Sequence, residues 1–195
     1  MKKDIILAGV GGQGILSIAA IIGYTALEQG MFLKQSEVHG MSQRGGDVMS
    51  NLRISHSEIA SDLIPFGKAD IIIAVEPLES LRYLPYLSRE GWLISSSIPF
   101  NNIANYPDLE DVLDAVRAIP HHLLLDADTM AKEAGSVKAA NIVILGASAP
   151  FLGMDFEFLE NAIRVIFGKK GERVVDLNLQ ALKAGKEFAD LHLHK

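Results

Sequence analysis

Gly9, Gly11 and Gly14 stand at the spacing G-x-G-x-x-G, directly after a short aliphatic run and directly before a long apolar one. In that context the first glycine permits a tight turn, the second lets backbone approach a phosphate, and the third lets a helix pack on a strand. Free N–H groups at the helix start, with the helix dipole behind them, make an anion site. Gly9, Gly11, Gly12, Gln13 and Gly14 are therefore candidate cofactor-binding residues for a phosphate or carboxylate. The alternative is that the glycines only shape the turn and pack the helix. A second segment, Glu37-Val38-His39-Gly40-Met41-Ser42-Gln43-Arg44-Gly45-Gly46, crowds polar side chains of both charge signs among three glycines. Arg44 offers a planar fork of donors suited to a carboxylate or phosphate, and His39 titrates near neutrality. Glu37, His39 and Arg44 are the catalytic candidates, and Arg44 is also a cofactor-binding candidate. Against this, Glu37 and Arg44 could simply pair to hold the loop, or the segment could serve subunit contact.

Other chemistry finds little support. No Ser-His-Asp or Cys-His arrangement is suggested, and no H-x-x-x-H or similar ligand set lies near the second segment. His121 and His122, adjacent on an expected strand, point to opposite faces. No metal site is expected.

The elements that must position these residues read as alternating strands and helices. Asp4 to Ala8 has the aliphatic, β-branched character of a strand buried on both faces, as parallel sheets require. Gln13 to Gln29 predicts a buried helix stopped by Gly30. Met31 to Gln35 predicts a strand, Ser36 to Gly46 a loop, and Asp47 to Ser55 an imperfectly alternating strand at an edge or with one face near solvent. Ala69 to Val75 predicts a strand, followed by a helix from Pro77 in which Glu79 and Arg82 are spaced to pair. Gly91 to Ser95 and His121 to Leu125 predict strands, with a long connection over Ser96 to Asp108. Helical periodicity marks Ala139 to Ala149, Phe156 to Phe167, and the run through Val174, Leu177, Ala181, Ala184 and Phe188. The fold expected is α/β: a Rossmann-like, mostly parallel sheet with helices on both faces and a helical C-terminal third, forming one domain over 1–195. Ligands should meet it at the C-terminal ends of the strands.

Bulk properties narrow the function classes. Of the 195 residues, 49% are apolar and 22% charged, the balance of a packed globular chain. The net charge of -6 and the absence of a basic run argue against a nucleic-acid partner. There is no cysteine, hence no disulfide and no Cys-ligated iron-sulphur cluster within this chain. The N-terminal residues fit neither a signal peptide nor a membrane span, so a cytoplasmic chain with no membrane partner is expected.

Taken together, Gly9-Val10-Gly11-Gly12-Gln13-Gly14 and Ser36 to Gly46 resemble the two signatures of the small (beta or gamma) subunit of 2-oxoacid:ferredoxin oxidoreductases, the indolepyruvate (arylpyruvate) type above all. The second segment is the more specific. Glu76-Pro77-Leu78-Glu79, Asp126, Asn141, Leu145-Gly146 and Asn178 to Gly185 extend the likeness over nearly the whole chain. The resemblance implies a complex that converts an arylpyruvate such as indolepyruvate, with coenzyme A, to acyl-CoA, carbon dioxide and reduced ferredoxin. It implies that thiamine diphosphate, magnesium and iron-sulphur clusters belong to a large (alpha) catalytic subunit, that coenzyme A is a cosubstrate this chain could contact, and that the isolated chain is inactive. The absence of Cys, and of a G-D-G followed by N-N, agrees with that division; Asn101-Asn102 has no such partner upstream. Two other readings stay open: a free-standing NAD(P)-binding Rossmann oxidoreductase with Glu37 on the ribose, and a non-catalytic structural subunit.

Overall fold

The computed structural model describes residues 1–39, 45–101 and 103–193. Six strands form one sheet: β1 (Lys2–Val10), β2 (Phe32–His39), β3 (Asp47–Ser55), β4 (Ala69–Ala74), β5 (Leu87–Ser96) and β6 (His122–Leu125), in the order β2-β3-β1-β4-β5-β6. β1, β4, β5 and β6 run parallel, and β3 is antiparallel to both of its neighbours. The helices are α1 (Ile15–Glu28), α2 (Pro77–Arg82), α3 (Leu109–Arg117), α4 (Ala127–Glu133), α5 (Ala140–Leu152), α6 (Phe156–Phe167) and α7 (Glu172–Leu193). Among the described residues no helix is long and apolar enough to cross a membrane.

The two-residue period of the strands splits the core. Ile5, Leu7, Ile71, Ile73 and Ile94 face a large cluster that includes residues of α1, α5, α6 and α7. Ile6, Ile72 and Leu93 face a smaller one containing Val116 of α3 and Leu81 of α2. Burial on both faces explains the unbroken aliphatic runs of β1 and β4. The mostly parallel sheet with helices on both faces is as the sequence predicts, and so is the helical C-terminal third. Helix α5, apolar all round, lies in the middle of the larger layer, and α7 crosses it at glycines. A Cβ on Gly146 would come 2.0 Å from the Leu182 carbonyl oxygen, and one on Gly185 would come 2.0 Å from that of Val143.

Three expectations change. β2 continues to His39, so Glu37 and His39 lie on a strand rather than in a loop. β3 is not an edge strand: it sits between β1 and β2, and Met49 to Ser55 are all buried. Its polar alternation looks solvated in sequence, but Asn51 and Arg53 meet covering partners elsewhere in the chain. Asn51 Oδ1 accepts from Ile64 N at 3.1 Å, and Arg53 Nη1 donates to the Ser61 and Leu63 carbonyls at 3.0 and 2.9 Å. Arg53 also forks onto buried Asp4 at 2.7 and 3.0 Å. Segment 56–68 thus lies across the face that alternation assigns to water. Finally, the connections after β5 and β6 carry α3 and α4, absent from the sequence reading. Asp108 and Asp126 start them by accepting from the amides of Glu110 and Thr129 at 2.9 and 2.8 Å.

Candidate functional site

The helix after β1 packs on one face of the sheet and the helix after β4 on the other, although β1 and β4 are neighbours. That divergence opens a crevice at the strands' C-terminal ends, the place where open α/β sheets take ligands. The Gly9 to Gly14 turn forms one wall.

Each glycine of the turn has a distinct reason to be there. A Cβ on Gly9 would come 2.4 Å from Val75 Cγ2, so Gly9 lets β1 and β4 stay close. Gly11 donates its amide to the Gly46 carbonyl at 2.9 Å and accepts from the Gly45 amide at 3.4 Å, joining the turn to the end of the second glycine-rich segment. Gly14, at φ +82°, would put a Cβ 2.5 Å from Asn141 Nδ2, which donates to the Gly14 carbonyl at 3.0 Å. Gly12, at φ +104°, has open space where its side chain would be. Gln13 is engaged by the turn: its Oε1 accepts from Val10 N at 2.8 Å and its Nε2 donates to the Val75 carbonyl at 3.4 Å. Among the described residues, the amides of Gly12, Gly14, Ile15 and Leu16 have no hydrogen-bond partner, leaving the start of α1 as a set of donors.

Two clefts meet at this turn. One, of about 370 Å³, is lined by Gly12, Gln13, Ser96, Asp128, Lys138 and Asn141. The other, of about 400 Å³, is lined by Gly12, Gly14, Ser17, Lys138, Lys170 and Asn178. Lys138, from the short helical turn before α5, faces both. Burial pushes the Asp128 carboxyl above its ordinary value, and the neighbouring Asp126 carboxylate adds to the shift. Two lysines lining the clefts at the open helix start, Lys138 and Lys170, make the region suited to an anion, in a chain whose net charge is negative.

On the far side of the turn, α2 gathers a polar network. Glu76, 1% exposed, accepts from Glu79 N at 2.7 Å with one oxygen. Its other oxygen accepts from the Tyr106 hydroxyl and from Phe100 N, so one carboxylate caps α2 and tethers the connection after β5. Glu79 and Arg82 pair at 2.7 Å, as their spacing predicts. Burial raises the Glu79 carboxyl, opposed by its hydrogen bond to Arg82.

The pyruvate ferredoxin/flavodoxin oxidoreductase family model matches residues 4–188. The chain belongs to this family. It is 39% identical over 194 residues to the indolepyruvate oxidoreductase subunit IorB of Archaeoglobus fulgidus, covering 95% of this chain and 94% of that one. Among solved structures it resembles the gamma subunit of a keto/oxoacid ferredoxin oxidoreductase from Geobacter sulfurreducens, with a TM-score of 0.72, 26% identity, and 97% and 99% of the two chains covered. It also shares its fold with a 2-oxoglutarate:ferredoxin oxidoreductase from Magnetococcus marinus solved with 2-oxoglutarate, coenzyme A and succinyl-CoA bound (TM-score 0.78, 23% identity). There the match covers 97% of this chain but only 31% of the larger one.

Within this oxidoreductase-family chain, the positions quoted for the resemblance outside the two glycine segments prove to be joints. Glu76 caps α2, Asp126 caps α4, Asn141 holds the Gly14 carbonyl, and Gly146 and Gly185 let α5 and α7 touch. Glu37 is half-buried and pairs with Ser50 across the β2–β3 ladder. His39 closes β2 opposite Val48. Arg44 lies outside the described residues, as do Gly40 to Gln43. Lys138, Lys170 and Asp128 escaped sequence reasoning because nothing in their local context distinguishes them from solvated charges; only packing brings them to the turn. Among the described residues no group of three or more His, Cys, Asp or Glu is placed to hold a metal ion.

Proposed function

We infer that residues 1–195 form one domain that serves as the small subunit of an indolepyruvate-type 2-oxoacid:ferredoxin oxidoreductase, acting in the cytoplasm with a large catalytic subunit. The observation that carries this reading is the extended likeness to indolepyruvate oxidoreductase subunits, end to end in both chains. The reaction is oxidative decarboxylation of an arylpyruvate with coenzyme A to acyl-CoA and carbon dioxide, the electrons passing through the complex to ferredoxin. Thiamine diphosphate, with its magnesium, supplies the electron sink for decarboxylation, and the clusters carry the electrons onward; both belong to the partner. This chain has no thiolate to ligate a cluster.

The part left to this chain is binding. The open amides around Gly12 and the guanidinium of Arg44 meet an anionic group of coenzyme A or of the substrate, with Lys138 and Lys170 adding positive charge to the same region. Gly9 and Gln13 hold the turn in shape, while Glu37 and His39 bring β2 to the same edge of the sheet. The Magnetococcus marinus enzyme that contains this fold is solved with coenzyme A bound, which makes coenzyme A the cosubstrate to test.

The rival NAD(P) reading loses its ribose acid. A dinucleotide site needs the strand bearing that acid next to β1, whereas here β3 intervenes and holds β2 roughly 9–10 Å from it. The test is Arg44→Ala in the reconstituted two-subunit enzyme. The expected result is a rise in the apparent KM for coenzyme A, in the range of tenfold for a lost charge-assisted hydrogen bond. An unchanged KM together with unchanged turnover overturns the assignment.

A further inference from the structure

Asp47 is the first residue of β3 and lies opposite Val10, the last residue of β1. One residue beyond that pair, past the ends of both strands, the Gly46 carbonyl accepts from Gly11 N, and Gly45 N reaches the Gly11 carbonyl. The Gly11 backbone of the glycine turn is therefore tied directly to the start of β3. Tyr83 holds that strand end from the α2 side: its hydroxyl donates to Asp47 Oδ2 at 3.2 Å. Tyr83 is half-buried, with its ring tilted against Tyr86 at 6.4 Å between centroids. Burial, and then the Asp47 and Glu79 carboxylates, keep its hydroxyl protonated well above the ordinary tyrosine range, so it remains a donor at physiological pH. The Glu79–Arg82 pair stands beside it, with Arg82 near enough to Asp47 to feel its charge.

We propose that Tyr83 and Asp47 are positioning residues of the shared site: their hydrogen bond fixes the Gly45 to Asp47 strand start, and through it the aim of the Gly11 and Gly12 backbone into the cleft. The inference rests on the reading that this turn receives an anionic group of coenzyme A. It assigns a function to a tyrosine that touches neither cleft and belongs to neither glycine segment.

The experiment uses the reconstituted two-subunit enzyme. Tyr83→Phe removes one oxygen and leaves the ring, and Asp47→Ala removes the acceptor. Both are expected to raise the apparent KM for coenzyme A about threefold to tenfold, the factor set by one lost hydrogen bond, with kcat within twofold of the unsubstituted enzyme. Asp47→Asn keeps an oxygen for the tyrosine hydroxyl and is expected to restore the KM. A structural role alone would lower the unfolding midpoint without splitting KM from kcat. An unchanged KM in Tyr83→Phe, where Arg44→Ala raises it, overturns the positioning role and leaves the anion site standing. An unchanged KM in both overturns both. Should Tyr83→Phe fail to fold, the comparison of Asp47→Asn with Asp47→Ala decides: equal KM values overturn the proposal.

Discussion

Gly12 and Gly14 are separated by one residue and share a left-handed backbone, yet the surroundings give them different tasks. At both, a side chain costs about 1–2 kcal/mol for the conformation alone. At Gly14 the new Cβ must also displace Asn141, whose amide holds the Gly14 carbonyl, whereas at Gly12 it would project into open space. Gly14→Ala is therefore expected to lower the unfolding free energy by at least about 1 kcal/mol more than Gly12→Ala, with denaturant midpoints as the measurement. Equal losses would mean that Asn141 yields freely. The G-x-G-x-x-G spacing announced a turn ahead of a helix, but it could not say which of its glycines are engaged and which stand open. Gly46, which pairs with Gly11, and Asn141, which lies 127 residues away from Gly14, decide that. Lys138 and Lys170 illustrate the same limit, since an isolated lysine in a helical stretch has no sequence signature until a neighbouring element brings it to a cleft.

At the scale of elements, α5 and α7 were legible as helices from their periodicity, but not as a pair in backbone contact. The two glycines that allow the contact sit on facing helices, and each would drive a Cβ into a carbonyl of the other. Gly185→Ala is expected to destabilise the chain by about 1–3 kcal/mol, because a packed layer has no slack for the added methyl. Thermal or denaturant unfolding that matches the unsubstituted chain would show that the helices can slide apart at no cost. The strand β3 shows where periodicity misleads. Its alternating polar residues read as a face near water, and Asn51 and Arg53 are buried there because segment 56–68 covers them: Ile64 N donates to Asn51, and two carbonyls accept from Arg53. Helices α3 and α4 went unread although Asp108 and Asp126 carry ordinary N-cap chemistry. α3 follows a long irregular connection, and α4 has only seven residues, too few for a periodic pattern to stand out.

For the whole molecule, two tyrosines link separate parts of the C-terminal edge of the sheet through α2: Tyr83 to the start of β3, and Tyr106 to Glu76 from the connection after β5. Burial first, and then neighbouring carboxylates, raise both hydroxyls above the ordinary tyrosine value. The folded chain thus keeps protons that the unfolded chain releases near pH 10. The stabilisation is complete below that pH and is lost as pH rises beyond it. Unfolding midpoints followed from pH 8 to pH 11 are expected to fall in the upper part of that range, and the double variant Tyr83→Phe, Tyr106→Phe is expected to show a shallower fall. Identical slopes would remove the tyrosines from the alkaline transition. By itself the sequence determined the fold class, the run of helices in the last third, the glycine turn between the first strand and its helix, and the family, because period, glycine spacing and signature are local properties. Only the tertiary structure decided that β3 lies inside the sheet and separates β2 from β1, that Gly12 is the open member of the turn, and that Lys138, Lys170 and Tyr83 belong to its surroundings. Each of those depends on which distant segments a surface is packed against, and packing is a property of the assembled layers.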